Sequence, residues 1–336
     1  MRAWQLFGFG RENLKCVDIP VPEPGPSEIL IRVHAVSLNY RDKLVVEGLY
    51  NPHVAFPMTQ VADTVGEVVE AGSEVSRITV GDRVLTQYAT TWVDGPPKGD
   101  EIVHTLGNTI PGGLAEYLLM KENAVVKAPR YLTDEEASTL PVAAITPWFS
   151  LVETGQLSAG QTVLLQGTGG VSLFGLQIAV AYGARTLILS SSDEKLERTK
   201  ALGAHGGINY LRKPEWGKEA LALTDMRGVD HVLEVAGGKS LAQSLKALKA
   251  GGRISVIGIL DGFESAVPIF PLLAKQATIR GIVTGPRRAF EKMNEKLEEI
   301  QIHPVIDKVY SFPDALAAYD HLYRGAFGKI VIRVRE

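Results

Sequence analysis

The chain of 336 residues holds a single cysteine, Cys16. An intrachain disulfide is therefore impossible, and a zinc site built from cysteines is excluded. Cys16 reads as an inert residue of an early strand rather than a redox thiol. Charge of either sign is not in excess: 35 Lys and Arg face 38 Asp and Glu, a formal net charge of -3. Neither nucleic acid nor an anionic membrane is expected as a partner. No apolar run approaches the roughly 20 residues of a membrane span. The N-terminal segment, with Arg2 and Arg11 bracketing a short mixed stretch, does not read as a signal peptide, so the cytoplasm is the expected location. Internal repeats and low-complexity tracts are lacking too. The histidines (34, 53, 104, 205, 231, 303 and 321) are scattered without metal-ligand spacing.

What remains is an ordinary globular composition, 45% hydrophobic and 22% charged. Its length makes two domains the default. Residues 1–145 look β-rich: Ile29 to Val36 alternates behind a proline-rich lead, and further strands are expected at Val65 to Val69, Arg83 to Leu85, Gly112 to Met120 and Val125-Val126. Residues 92–109 read as a surface loop. From Thr162 strands alternate with helices, which implies a doubly wound parallel sheet, the α/β class. The tail holds helices near 288–300 and 314–323 and a closing strand from Lys329 to Val334, which returns to the first domain.

The alternating region opens with TVLLQGTGGVSLFGLQIAVAYG, residues 162–183. A buried strand leads into a glycine-rich turn and then a helix, the arrangement that holds a dinucleotide pyrophosphate. Gly167 permits the tight turn and Gly169 lets the backbone approach phosphate. Thr168, Gly170 and Val171 complete the segment, and the helix N-terminus offers N–H groups and partial positive charge. Ser172 stands where the third glycine of the fingerprint belongs.

Taken together, the chain resembles the medium-chain dehydrogenase/reductase superfamily, and within it the zinc-free, quinone-oxidoreductase-like branch. The matching stretches are PVPEPGPSEILIRVHAVSLNYRD, GEVVEAGSEVSRITVGDRV, GGLAEYLLM, GTGGVSLFGLQIA, SSSDEKLERTKALGAHGGINY, AGGRISVIG and GAFGKIVI, in fixed order over essentially the whole chain. The resemblance implies a β-rich GroES-like substrate domain over residues 1–144, completed by 285–336, and a Rossmann cofactor domain over 145–284. It also implies a homodimer paired through cofactor-domain edge strands, near residues 254–259 and 277–281. In the zinc-dependent members a cysteine, a histidine and a second cysteine hold the catalytic metal; those positions are Asn39, Ala62 and Val142 here, with Asp63 beside the second. Valine and alanine cannot ligate, and an asparagine carbonyl alone is a poor zinc ligand. The loop that carries structural-zinc cysteines elsewhere, residues 92–108, has none. No metal is expected. By the same resemblance Thr146 faces the nicotinamide, the backbone at Ile257 and near Thr284 holds its carboxamide, and Lys329 approaches the pyrophosphate. Taken alone, Thr146 followed by Pro147 reads as a helix N-cap.

The end of the second cofactor-domain strand carries Ser190, Ser191 and Ser192, with Lys195 one turn on and Tyr210 after the third strand. Hydroxyls and an ammonium suit a 2′-phosphate, where an acidic residue would select the 2′-hydroxyl. NADPH is the expected cofactor, with NADH as the alternative; Asp193 and Glu194 are read as cap and first-turn acids of the next helix. Asn39 and Tyr40 are the catalytic candidates, as donors to an acceptor oxygen. Arg41 and Asp42 read as a structural pair. His34 is expected in the core; His53 and His104 lie in loops that are candidates for the border of the cleft, and Trp92 and Trp148 are candidates for lining the pocket, with core packing the first reading of Trp148. The expected partner is a small-molecule acceptor. A quinone or an α,β-unsaturated carbonyl spreads the developing charge and so asks least of the protein. The alternatives are a zinc-free alcohol dehydrogenase or carbonyl reductase, and a non-catalytic NADPH-binding protein.

Overall fold

A computed structural model describes residues 1–335. The chain divides into two compact units, one from Met1 to Ile145 together with the chain from Pro286 onward, the other Thr146–Gly285.

The first unit is built on the strand Glu28–Leu38, whose β-branched run is buried along most of its length. Asp63–Ala71 pairs with it antiparallel on one side and Lys329–Arg333 on the other. The registers fix what meets at one end of the sheet. Ser37 lies opposite Asp63, and Leu38 opposite Ile330. Residues 39, 63 and 329 are thereby brought together from three distant parts of the chain. Outward from this centre the sheet continues through Arg83–Thr86 and Val125–Lys127, and on the other flank through Ile306–Ser311; Tyr117–Lys121 also pairs with the central strand. The strand Ile306–Ser311 is an addition to the sequence reading; its residues are only half-buried, so its apolar alternation is weak. A separate small sheet joins Arg2–Leu6 to Leu14–Asp18 and Met58–Thr59, and Cys16 is an exposed member of it.

Entry into Asp63–Ala71 is strained. Val61 sits at φ 73°, left-handed backbone that a β-branched residue seldom adopts. Gly113 N–H donates to its carbonyl (2.8 Å) and Leu114 N–H to that of Gln60 (2.9 Å), which holds this segment in place. The helix Tyr40–Val46 starts where the central strand ends, and Asp42 Oδ2 accepts from the Asn39 N–H at 2.8 Å to close its first turn.

The second unit is a six-stranded sheet in the order Gly206–Asn209, Arg185–Ser190, Thr162–Gln166, Val229–Glu234, Leu248–Val256, Thr278–Gly281, every pair parallel. In chain order that is 3-2-1-4-5-6, the doubly wound arrangement. Strands Thr162–Gln166 and Val229–Glu234 are buried throughout, as a sheet covered on both faces requires. Residues 254–259, expected at an edge, are not there: Leu248–Val256 is second from the edge, and Thr278–Gly281 alone forms that border.

Candidate active site

The order of the parallel strands reverses between Thr162–Gln166 and Val229–Glu234, and ligands of such sheets bind beyond the C-terminal ends at this switch point. Gly167 follows directly, at φ 74°. A Cβ there would enter open space but would be strained by the backbone, so glycine serves the turn. Gly169 is extended, and open space lies where its Cβ would stand, beside the N-terminus of the helix Gly170–Ala181. The first intrahelical bond runs from Leu173 N–H to Gly169 O (3.0 Å), so the N–H groups of Gly170, Val171 and Ser172 precede it. An open cradle at a helix start fits a pyrophosphate.

The serine at the third fingerprint position has a structural reason. Ser172 is buried and its Oγ donates to Gln166 O, tying the helix to the strand it follows. The close helix-to-sheet approach falls instead to Gly175, where a Cβ would stand 2.7 Å from Leu233 and 2.8 Å from Leu165 side-chain carbons.

Under this turn lies a buried polar network that the sequence reading missed. Gln166 Nε2 shares its two hydrogens among Glu234 Oε2 (2.7 Å), Ser240 Oγ (2.9 Å) and Ser244 Oγ (2.9 Å). Its Oε1 accepts from the Val235 and Ala236 N–H groups, both at 3.2 Å. Glu234 Oε1 accepts from Ala236 N–H (3.1 Å) and Gly237 N–H (3.0 Å). The carboxylate is fully buried and its oxygens are saturated with donors. This network clamps the ends of the two switch-point strands and the loop after the second.

At the far side, the end of Arg185–Ser190 meets the end of Gly206–Asn209, with Tyr210 N–H donating to Ser190 O at 3.1 Å. The serines have separate tasks. Ser190 is buried and its Oγ accepts from Ser192 N–H (3.2 Å); Ser192 caps the helix Asp193–Lys200 by accepting from Lys195 N–H (3.2 Å). Ser191 is exposed, Lys195 half-buried, Tyr210 exposed. The nearby acid is answered: Asp193 accepts from Asn209 Nδ2 (2.7 Å) and pairs with Arg212 (2.6 Å). Arg212 is a cation that the sequence reading passed over, in the basic doublet Arg212-Lys213.

Thr146 is buried in the short helix Ile145–Trp148, with a preceding helical turn at Leu140–Ala143. It is therefore not an N-cap, and its carbonyl accepts from Ser150 Oγ (2.7 Å). Ile257 N–H donates to Glu234 O (2.8 Å), and Thr284 is buried against Gly285.

On the first unit, the register places Lys329 at the end of the central strand, buried, with Nζ donating to Asn39 Oδ1 (2.6 Å) and Asp63 Oδ2 (3.3 Å). Both acceptors of this ammonium, which the resemblance places at the pyrophosphate, lie in its own unit. Ser37 Oγ also donates to Asp63 Oδ2 (3.2 Å). Burial pushes the Asp63 carboxyl up, opposed by Lys329, the Asn39 amide and Ser37. Burial likewise pushes Lys329 down, opposed by Asp63 and Asp42. Asp42, also buried, is raised to about 6 by burial, against the pull of Arg41.

Arg41 and Asp42 are in contact (3.3 Å), but Arg41 does more than pair. Its guanidinium lies between the Tyr50 and Tyr88 rings, 5.0 and 5.1 Å from their centroids, and Nη1 donates to Leu106 O (2.8 Å). Tyr40 is exposed, with Lys43 Nζ 5.5 Å from its ring.

The remaining candidates have settings of their own. His34 is not plain core, since its Nδ1 meets Asp134 Oδ2 at 2.9 Å. His104 meets Asp100 (2.9 Å), and His53 is an exposed loop residue. Trp92 is buried with Nε1 on Gly95 O (2.9 Å), and Trp148 is buried against Tyr182. Among the described residues, no three His, Cys, Asp or Glu side chains cluster so as to hold a metal ion.

A dinucleotide cradle on a doubly wound sheet and a β-rich partner unit define a class of nicotinamide-dependent dehydrogenases. Comparison with known proteins agrees. Residues 25–130 match the family described as alcohol dehydrogenase GroES-like domain, and residues 170–299 the zinc-binding dehydrogenase family. A zinc-type alcohol dehydrogenase-like protein of Schizosaccharomyces pombe is 39% identical, over 98% of this chain and 97% of that protein. Human quinone oxidoreductase is 29% identical over 99% of this chain and 97% of its own. A solved structure from Sinorhizobium meliloti 1021, provisionally called an alcohol dehydrogenase, is 48% identical with a TM-score of 0.94, covering 99% and 98% of the two chains. The chain belongs to the medium-chain dehydrogenase/reductase superfamily. It is an NAD(P)H-dependent oxidoreductase.

Proposed function

We propose that this enzyme reduces quinones or α,β-unsaturated carbonyls with NADPH and without zinc. The observation that carries the reading is the substrate-side cluster. Where metal-dependent relatives need three ligands, this chain offers Asn39, Ala62 and Val142, and the Asn39 carbonyl is already taken by the Lys329 ammonium at 2.6 Å. Such a donor set does not fit a catalytic zinc ion. Bound in the cradle of residues 167–171, the cofactor supplies a hydride. The chain's own residues then have one electrostatic task, to hold the acceptor oxygen as it gains charge. Asn39 and Tyr40 are the groups we assign to it. A conjugated acceptor delocalises that charge, so a metal-poor site suffices.

The preference for NADPH rests on the strand-end cluster. Asp193, the acid that would oppose a 2′-phosphate, is engaged by Asn209 and Arg212. Exposed Ser191 and Tyr210 and half-buried Lys195 remain beside it, the groups we assign to the phosphate. The reading of a homodimer is supported by the border strand Thr278–Gly281 and by Phe263, Ile269, Phe270 and Leu273, all exposed. No helix among the described residues is long and apolar enough to cross a membrane. The lone thiol suits a reducing compartment, and the cytoplasm stays our proposed location.

The test is a screen of NADPH oxidation across quinones, enones, aldehydes and ketones with product identification. Reduction of C=C or of the quinone supports the reading. Turnover confined to simple aldehydes and ketones transfers the chain to the second reading, a zinc-free carbonyl reductase, which the exposed Tyr40 phenol favours as proton donor.

A further inference from the structure

We propose that Lys329 is the built-in cation of the substrate side, a positioning residue that fixes the Asn39 carboxamide so that its amide N–H, rather than a metal, meets the acceptor oxygen. The inference rests on the oxidoreductase reading above. It starts from the sheet register, which brings residues 39, 63 and 329 to one end of the strand Glu28–Leu38.

An ammonium is only a donor, so the carboxamide group facing it must be the carbonyl. At 2.6 Å from Lys329 Nζ, Asn39 Oδ1 makes a charge-assisted bond in a buried setting. The flip of the amide, ordinarily a matter of inference, is thus set by chemistry. Nδ2 is left on the other side. It lies near enough to Asp63 to help lower that carboxyl, but it is buried and closes no hydrogen bond of normal geometry. An amide nitrogen carries two hydrogens; with one turned toward Asp63, whose Oδ1 is likewise unpaired, the second is the one left for an incoming acceptor. The positive charge behind Oδ1 polarises the amide and strengthens its N–H as a donor. Asp63, held by Lys329 and Ser37, balances the charge and keeps the ammonium in place. Asn39 itself is anchored through its backbone bond to Asp42 at the helix start. The positive charge therefore reaches the substrate through one amide instead of through coordination.

The experiment uses the full chain, 1,4-benzoquinone as acceptor, and the variants Lys329→Met, Asn39→Ala and the double variant. The NADPH dissociation constant is measured by fluorescence in the absence of acceptor. If Lys329 positions Asn39, each single variant lowers kcat by about tenfold or more, NADPH affinity stays within about twofold, and the double variant is no worse than the singles. Should Lys329→Met fail to fold, Lys329→Met/Asp63→Asn removes both buried charges together and carries the same expectation. A loss of about tenfold or more in NADPH affinity in the lysine variants alone would put the ammonium at the pyrophosphate and overturn the proposal. Effects that multiply in the double variant, or an unchanged kcat, overturn it too. A parent enzyme inert toward quinones and enones instead sinks the functional reading, and this role with it.

Discussion

Replacing Gln166 by leucine tests the clamp beneath the cofactor turn. The side chain is 4% exposed and joins five partners, so a leucine of similar size removes every bond while filling most of the volume. The bond to the Glu234 carboxylate is charge-assisted, for which ~1.5–3 kcal/mol is typical. Val235 N–H loses its acceptor, a further ~1–3 kcal/mol for a buried orphan. Ala236 N–H keeps Glu234 Oε1 at 3.1 Å, and the two serine hydroxyls keep donating to Glu234 Oε2, losing only a donor to their own oxygens, so these losses are small. The sum is about 2.5–6 kcal/mol of stability in the second unit. For a unit of this size the calorimetric midpoint falls by on the order of 10 °C. NADPH affinity falls as well, because residues 235–237 are no longer held against the turn. A midpoint moved by less than about 2 °C would mean that these buried bonds contribute no more than water does.

Three further outcomes follow from the same structure. Arg212→Gln leaves Asp193 with only the Asn209 amide, at the strand end we assign to the 2′-phosphate; the NADPH dissociation constant is expected to rise by about tenfold while that of NADH changes little, as paired titrations will show. Equal effects on both cofactors would remove the 2′-phosphate from that place. His231 is buried and its pKa is lowered to about 4, by burial first and then by Arg253 and Lys249. The unfolded chain binds the proton more readily, so its contribution, present in full above about pH 6.5, is lost as pH falls toward 4 and amounts to about 3 kcal/mol at most. Asp42, raised to about 6 by burial, acts oppositely, losing stability as pH rises through that range. Comparing parent with His231→Gln cancels the Asp42 contribution, and denaturant midpoints between pH 7 and 4 drop less in the variant; equal slopes contradict the assignment. Finally, Phe270→Asp places a charge on the exposed apolar face beside the border strand and converts a dimer to a monomer by light scattering, whereas an unchanged mass puts the interface elsewhere.

What the sequence revealed was what local rules control. The turn at Gly167 follows from a glycine spacing and a strand-to-helix transition within a score of residues, and the alternation after Thr162 defines the parallel sheet. Ser172 looked like a flaw because the fingerprint names residue types; that it hydrogen-bonds Gln166 O while Gly175 makes the close packing is a matter of three dimensions. The serines at 190–192 drew notice as a group, yet the first supports the turn and the third caps a helix, which leaves Ser191 exposed. Lys329 and Asn39 are separated by 290 positions, and only the antiparallel register of the tail strand joins them. Strand Ile306–Ser311 escaped notice because a half-buried edge needs little hydrophobic alternation.

Hydride transfer to a conjugated acceptor without a metal can be read out on the purified enzyme. Its most direct test measures bound zinc in the purified enzyme alongside NADPH oxidation by 1,4-benzoquinone and by an enone, before and after exhaustive chelation. Substoichiometric zinc is expected, with rates that chelation leaves unchanged. One zinc per chain, with aliphatic alcohol oxidation that chelation abolishes, would contradict it.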